Sequence, residues 1–105
     1  MAYSASKAAL MSLTMSLGNN FGQRNIRVNA IAPGWIDTDM ATEGSRRAVD
    51  ITPIGRNGRP EEVANLVAFL ASEEASFING EMIIIYGGYK NVDYILLQDT
   101  RQALV

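Results

Sequence analysis

The segment Met82-Ile83-Ile84-Ile85-Tyr86, closed by Gly87-Gly88, is a β-branched run that does not alternate with polar residues. A strand with one wet face alternates, because successive side chains point to opposite sides of the sheet. A continuous run asks for cover on both faces, as in a parallel sheet with helices above and below. A second strand pattern, Ile26-Arg27-Val28-Asn29-Ala30-Ile31-Ala32, is stopped by Pro33-Gly34. The two lie about 50 residues apart with a helix between them, which predicts a parallel pair joined by a right-handed crossover. Before the first strand, Leu10, Leu13, Leu17 and Phe21 repeat on one face of a helix that runs from Tyr3 to Phe21 and ends at Gly22. Between the strands, Pro60-Glu61-Glu62 opens a helix whose expected buried stripe is Val63, Leu66, Val67 and Leu70. The Thr42–Asp50 stretch suits a short helix, and Asn79-Gly80 a turn. The order helix, strand, helix, strand is an α/β chain, a portion of a doubly wound parallel sheet. Two such strands alone leave sheet edges and apolar surface uncovered. The chain is therefore either the C-terminal piece of a larger α/β domain or one that pairs with another chain.

Composition narrows the chemistry. The 105 residues include 9 basic and 11 acidic side chains, for a net charge of −2, and there is no Cys and no His. Disulfides, thiolate nucleophiles, Ser-His-Asp triads and imidazole bases are thereby excluded, and a slightly acidic chain offers no electrostatic footprint for nucleic acid. The N-terminal run around Lys7 loosely imitates a signal peptide, but Ser12, Thr14 and Ser16 interrupt it. No run approaches the ~18 apolar residues of a membrane span, so no membrane partner is expected. Asp37, Asp39 and Glu43 are too loosely spaced for a metal cluster, and no metal is expected. The length also falls short of a two-domain enzyme or of a complete dinucleotide-binding sheet of about six strands.

Tyr3 and Lys7, four residues apart, lie on one face of the first helix. A nearby cation stabilises phenolate and lowers a Tyr pKa from its usual ~10, which lets such a Tyr exchange a proton nearer neutral pH. The same spacing also arises on ordinary helix surfaces. Tyr86 and Lys90 share it, but Gly87-Gly88 lies between them, just after a strand.

The wider context decides between these readings. Tyr-Ser-Ala-Ser-Lys-Ala-Ala-Leu at residues 3–10 is followed by Ile26–Met40, with its Ala32-Pro33-Gly34-Trp35-Ile36-Asp37-Thr38-Asp39-Met40 stretch. Then come Gly58-Arg59-Pro60-Glu61-Glu62-Val63-Ala64 and Ala75-Ser76-Phe77-Ile78-Asn79-Gly80. In this order the motifs resemble the C-terminal part of the short-chain dehydrogenase/reductase family, most of all the 3-oxoacyl-acyl-carrier-protein reductases. The resemblance covers residues 1 to about 89. It implies a Rossmann-like sheet without its N-terminal strands. It divides the chain into a catalytic helix (3–21), a strand and nicotinamide-side loop (26–36), a substrate loop (37–59, variable over Met40–Ile54), a helix (60–72), the last strand (82–88) and a tail (89–105).

The resemblance further implies hydride transfer between a nicotinamide cofactor, NADP slightly ahead of NAD, and a carbonyl or alcohol substrate such as a 3-oxoacyl thioester. Tyr3 is implied as the general acid and base. Lys7 is implied to bond the nicotinamide ribose and to tune Tyr3. Pro33 and Gly34 are implied to let the backbone approach the nicotinamide, the Ile36 backbone to bond the carboxamide, and the Thr38 hydroxyl to bond the carboxamide or a phosphate. The resemblance implies a homo-oligomer, tetramer or dimer, joined through the first helix, the Pro60 helix and the last strand. The apolar Tyr94-Ile95-Leu96-Leu97 tail either joins that interface or packs on its own domain, and the lack of a targeting segment leads to the expectation of a cytoplasmic location. The departures are equally specific. The glycine-rich phosphate loop, the residue that selects NAD or NADP, and the catalytic Ser and Asn are absent, and Tyr86 stands where the family commonly has Asp. The alternative expectation is therefore a truncated, non-catalytic piece that at most packs with subunits of this family.

Overall fold

The computed structural model describes residues 2–38 and 43–88. Helix α1 spans Ala2–Phe21, strand β1 Ala30–Pro33, helix α2 Glu43–Ile51, helix α3 Pro60–Ala71 and strand β2 Met82–Ile85, with single 3-10 turns at Gly22–Arg24 and Glu73–Ala75. β1 and β2 are parallel neighbours, paired Ala30↔Met82 through Pro33↔Ile85. The α/β class and the parallel pairing read from the two strand patterns are what the chain adopts. No helix among the described residues is long and apolar enough to cross a membrane. The tail, with Tyr94 to Leu97, and the start of the variable loop at Met40 lie outside the described residues.

Strand β1 begins at Ala30, four residues later than the apolar pattern at Ile26 suggests. Two asparagines account for the difference. The Asn79 side-chain carbonyl accepts from the Val28 N–H at 3.0 Å, and the Asn29 side-chain carbonyl accepts from the Glu81 N–H at 3.0 Å. The Asn29 amide in turn donates to the Ile78 carbonyl at 3.0 Å. Side chains thus take bonds that a ladder would otherwise make, and regular pairing starts only where the Ala30 N–H donates to the Glu81 carbonyl at 2.8 Å. Arg27 reaches across this region. Its guanidinium donates to the carbonyls of Leu70 at 2.7 Å and Ser72 at 3.2 Å, covering the C-terminal end of α3 with a cation.

Helix α1 ends at Phe21, as the pattern expects, but not by a left-handed Gly22. Asn25 is left-handed instead, with φ 61°, and its N–H returns to the Gly22 carbonyl at 3.0 Å. Asn is among the few non-glycine residues that take up that conformation at helix ends. The Leu stripe of α1 is only partly covered, with Leu17 and Phe21 half-buried. Leu10 and Leu13 are 42% and 55% exposed, whereas Thr14 is 3% exposed. The Thr14 hydroxyl donates to the Leu10 carbonyl at 2.7 Å, so its burial leaves no unsatisfied donor. One turn on, Gly18 is buried against the Asn79-Gly80 turn, where a Cβ would lie 2.8 Å from the Asn79 side-chain oxygen and from the Gly80 Cα. The close approach selects small residues, and the Asn79 amide closes it by donating to the Gly18 carbonyl at 2.9 Å. On α3, Leu70 is buried, Val63 and Leu66 are half-buried, and Val67 is exposed. Leu70, Ala75 and Met82 are the buried apolar residues among those described, and the Ile83–Ile85 run is only half-buried.

Candidate functional site

In a parallel sheet all strands point the same way, and ligand sites form in the crevice beyond their carboxyl ends. Pro33 closes β1 and Ile85 closes β2 at that same edge. The Gly34 N–H donates to the Ile85 carbonyl at 3.0 Å, extending the pairing by one residue. A side chain at Gly34 would collide with the Tyr86 Cβ, so the close approach of these two chain segments is what requires glycine. Beyond it, Ile36 forms an isolated parallel bridge with Gly58. The Gly58 N–H donates to the Trp35 carbonyl at 2.9 Å, and the Asp37 N–H donates to the Gly58 carbonyl at 2.8 Å. Asn57, 6% exposed, adds a side-chain bond from its amide to an Asp37 carboxylate oxygen at 3.1 Å. The loop that carries Pro33, Gly34, Ile36 and Thr38 is thus tied to the residues just before α3. Thr38 is exposed at its end.

Tyr3 lies in the first turn of α1 and Lys7 one turn later. The Tyr3 side chain is outside the described ones. Lys7 is half-buried, and its ammonium nitrogen sits 5.6 Å from the centre of the Tyr86 ring. A hollow of about 230 Å³ opens between α1 and β1, lined by Ser6, Lys7, Leu10, Ile31, Ala32, Pro33 and Met82. Its floor is apolar and its polar groups, Ser6 and Lys7, come from α1. That donor set suits a flat ring against the floor and sugar hydroxyls at the ammonium, so the residues present fit a nicotinamide riboside. Of the predicted site residues, Lys7 and Pro33 line this hollow. Gly34 follows Pro33 and is packed against Tyr86, whose ring lies under the Lys7 ammonium. Ile36 and Thr38 continue along the adjoining loop. Of the three acidic residues considered for a metal, only Asp37 has a described side chain, and it binds Asn57.

Sequence reasoning missed the support beneath this loop. Arg56 grips Glu62 with two parallel bonds, at 2.7 and 3.0 Å, and also donates to the Asn57 carbonyl at 3.1 Å. Glu62 accepts a further bond from the Arg59 N–H at 2.9 Å, one half of a capping box at the start of α3. The Arg56 guanidinium and then the Arg59 N–H hold the Glu62 carboxyl down to about 2. The same pairing raises the Arg56 pKa. The only advance signal was the paired Glu at the helix start, which reads as dipole complementarity alone. On the other flank, the Ile54 N–H donates to the Gly87 carbonyl at 3.2 Å. Gly87, with φ 68°, has the Thr52 and Ile54 methyl groups where a side chain would stand.

A family model described as enoyl-(acyl carrier protein) reductase matches residues 1–90. The chain is similar to the 3-oxoacyl-(acyl-carrier-protein) reductase FabG of Aquifex aeolicus, 49% identical over 90 residues that span 82% of this chain and 36% of that protein. Its fold is similar to a short chain dehydrogenase from Bacillus anthracis, with TM-score 0.72 and 41% identity over 82% of this chain and 35% of that one. It is also similar to a 4-hydroxyisoleucine dehydrogenase complexed with NADH, with TM-score 0.76 and 33% identity over 88% of this chain and 40% of that one. In each case the chain spans well under half of its relative's length.

Proposed function

Because this chain belongs to the short-chain dehydrogenase/reductase family, we propose that it forms the proton-transfer and nicotinamide-side portion of an NAD(P)-dependent oxidoreductase acting on a carbonyl or alcohol. The observation that carries this reading is the convergence of Lys7, Pro33, Gly34 and the Ile36–Thr38 loop at the carboxyl edge of two parallel strands. When bound there, the nicotinamide supplies or accepts the hydride. Tyr3 gives its phenolic proton to the substrate oxygen during reduction and takes it back during oxidation. Lys7 bonds the ribose hydroxyls and favours the phenolate of Tyr3 by its charge. Pro33 and Gly34 keep side chains out of the way of the ring, the Ile36 backbone bonds the carboxamide, and Thr38 bonds the carboxamide or a phosphate.

The similarity to FabG makes a 3-oxoacyl thioester the first substrate to test and NADPH the first cofactor, in a cytoplasmic homo-oligomer serving fatty acid synthesis. In the enzyme that carries this sequence, Tyr3→Phe removes most turnover while NADPH affinity, read from nicotinamide fluorescence, changes little. Lys7→Ala weakens both. Full turnover in Tyr3→Phe ends the assigned role.

A second reading has its own support in the exposed Leu10, Leu13 and Met15 on α1, 42–57% accessible, together with the short span of each relative that the chain covers. In it, the chain packs with subunits of this family and performs no catalysis. Titration of the 105-residue chain with NADPH and NADH separates the two, since micromolar binding rules out the second.

A further inference from the structure

We propose that Tyr86 is a positioning residue for Lys7, its ring face holding the ammonium so that the amine hydrogens stay available for ligand hydroxyls. The proposal rests on the ribose-binding role given to Lys7 above. A lysine head rides on a flexible four-carbon stem with several soft torsions, so presenting it to two adjacent hydroxyls needs a second contact that limits where it can go. The Tyr86 ring supplies that contact. The 5.6 Å separation from nitrogen to ring centre lies inside the range of about 6 Å over which an aromatic face attracts a cation.

The ring is itself well anchored. Its Cβ is wedged against Gly34, which cannot carry a side chain there. Immediately after it, Gly87 and Gly88 turn the backbone through left-handed conformations, φ 68° and 94°. Gly87 is then pinned by Ile54 through the bond to its carbonyl. The aromatic face therefore has little freedom to retreat from Lys7. A carboxylate at this position would hold the same charge by accepting its N–H bonds. An aromatic face attracts the charge through its quadrupole and leaves those donors for a ligand.

The contact can be read directly. The chain has two lysines, Lys7 and Lys90. Reductive methylation of the 105-residue chain with ¹³C-formaldehyde keeps both cationic and gives each an NMR signal, and Lys7→Arg identifies the one from Lys7. A methyl group over an aromatic face is shifted upfield relative to the same chain in denaturant. That shift is expected in the unsubstituted chain, in Tyr86→Phe and in Tyr86→Trp, and is lost in Tyr86→Leu. Should Tyr86→Leu not fold, the two aromatic variants still decide the matter, because loss of the shift in Tyr86→Phe overturns a role for the ring. An unshifted Lys7 signal in the unsubstituted chain, or a shift that survives in Tyr86→Leu, overturns the proposal as well.

In the enzyme that carries this sequence, Tyr86→Leu weakens NADPH binding about 2- to 5-fold, the range one such contact supports, and Tyr86→Phe does not. Unchanged affinity in Tyr86→Leu ends the positioning role even where the ring contact is seen. Absence of NADPH binding by the unsubstituted enzyme ends the function on which the role rests, and the methyl-lysine shift then remains as a contact without that purpose.

Discussion

Gly34 leaves no room for a side chain, and the nearest obstacle is the Tyr86 Cβ, with the Tyr86 Cα behind it at 3.2 Å. Gly34→Ala forces either the end of β1 or the end of β2 to move, at an overpacking cost of about 1–3 kcal/mol. Urea denaturation is the measurement. Tyr86→Ala retains the Cβ and gives no relief in the double variant, whereas Tyr86→Gly gives partial relief, its Cα remaining 3.2 Å from the new side chain. Glu62 gives a second residue-level prediction. Its folded carboxyl lies below its ordinary value of 4.5, at about 2. A depressed carboxylate contributes stability that is fully present above the unfolded pKa and is lost as pH falls through the folded one. The difference in melting temperature between the unsubstituted chain and Glu62→Gln should therefore be constant near neutrality, shrink below about pH 4.5 and close near pH 2. Both side chains are more than a third exposed, at 40% and 38%, so added salt should shrink the difference too.

At the level of elements, α3 is held at both ends by arginines that its own sequence does not contain. Arg56 and the Arg59 N–H bind Glu62 at its start, and Arg27 covers the carbonyls at its end. Arg27→Met keeps the aliphatic stem but abandons those carbonyls, and about 1–3 kcal/mol of stability should go with it, again by urea denaturation. Leu70→Ala, on the buried side of the same helix, should cost about 2–5 kcal/mol, whereas Leu13→Ala on the exposed face of α1 should stay within about 0.5 kcal/mol. These contrasts also explain what could be read in advance. The parallel pairing was legible because the Ile83–Ile85 run and the Pro33-Gly34 stop are local signals. The Tyr3, Lys7 and Pro33–Thr38 assignments rested on contiguous motifs. The Arg56–Glu62 grip, the Asp37–Asn57 bond and the Lys7–Tyr86 contact were not legible, because each depends on chain closure that brings separated residues of ordinary type together. The most buried positions of α1 were not legible for a related reason. Apolarity marks Leu10 and Leu13, but against a glycine turn the contact selects for smallness, and Thr14 and Gly18 supply it.

For the molecule as a whole, the described elements cover one another incompletely. Leu10, Leu13 and Met15 on α1 and Val67 and Phe69 on α3 remain substantially exposed, at 41–57%. Exposed apolar side chains grouped on one surface offer a hydrophobic dye a place to bind. The 105-residue chain should therefore enhance the fluorescence of an anilinonaphthalene sulfonate dye, and replacing Leu10, Leu13 and Met15 together by Gln should reduce that signal. The bridge between Ile36 and Gly58, with the bond between Asp37 and Asn57, has a different consequence at this scale. It closes the neck of everything strung between those residues. Lengthening a loop whose ends are already joined costs only about 0.6 kcal/mol per doubling. Insertions and deletions inside the neck, away from Thr52, Ile54, Arg56 and Asn57, can then accumulate at small energetic cost while Pro33 and Gly34 stay where the strands put them. Evolution, or a protein engineer, can exchange much of the segment between those residues as if it were a cartridge and leave the ends of the two strands untouched.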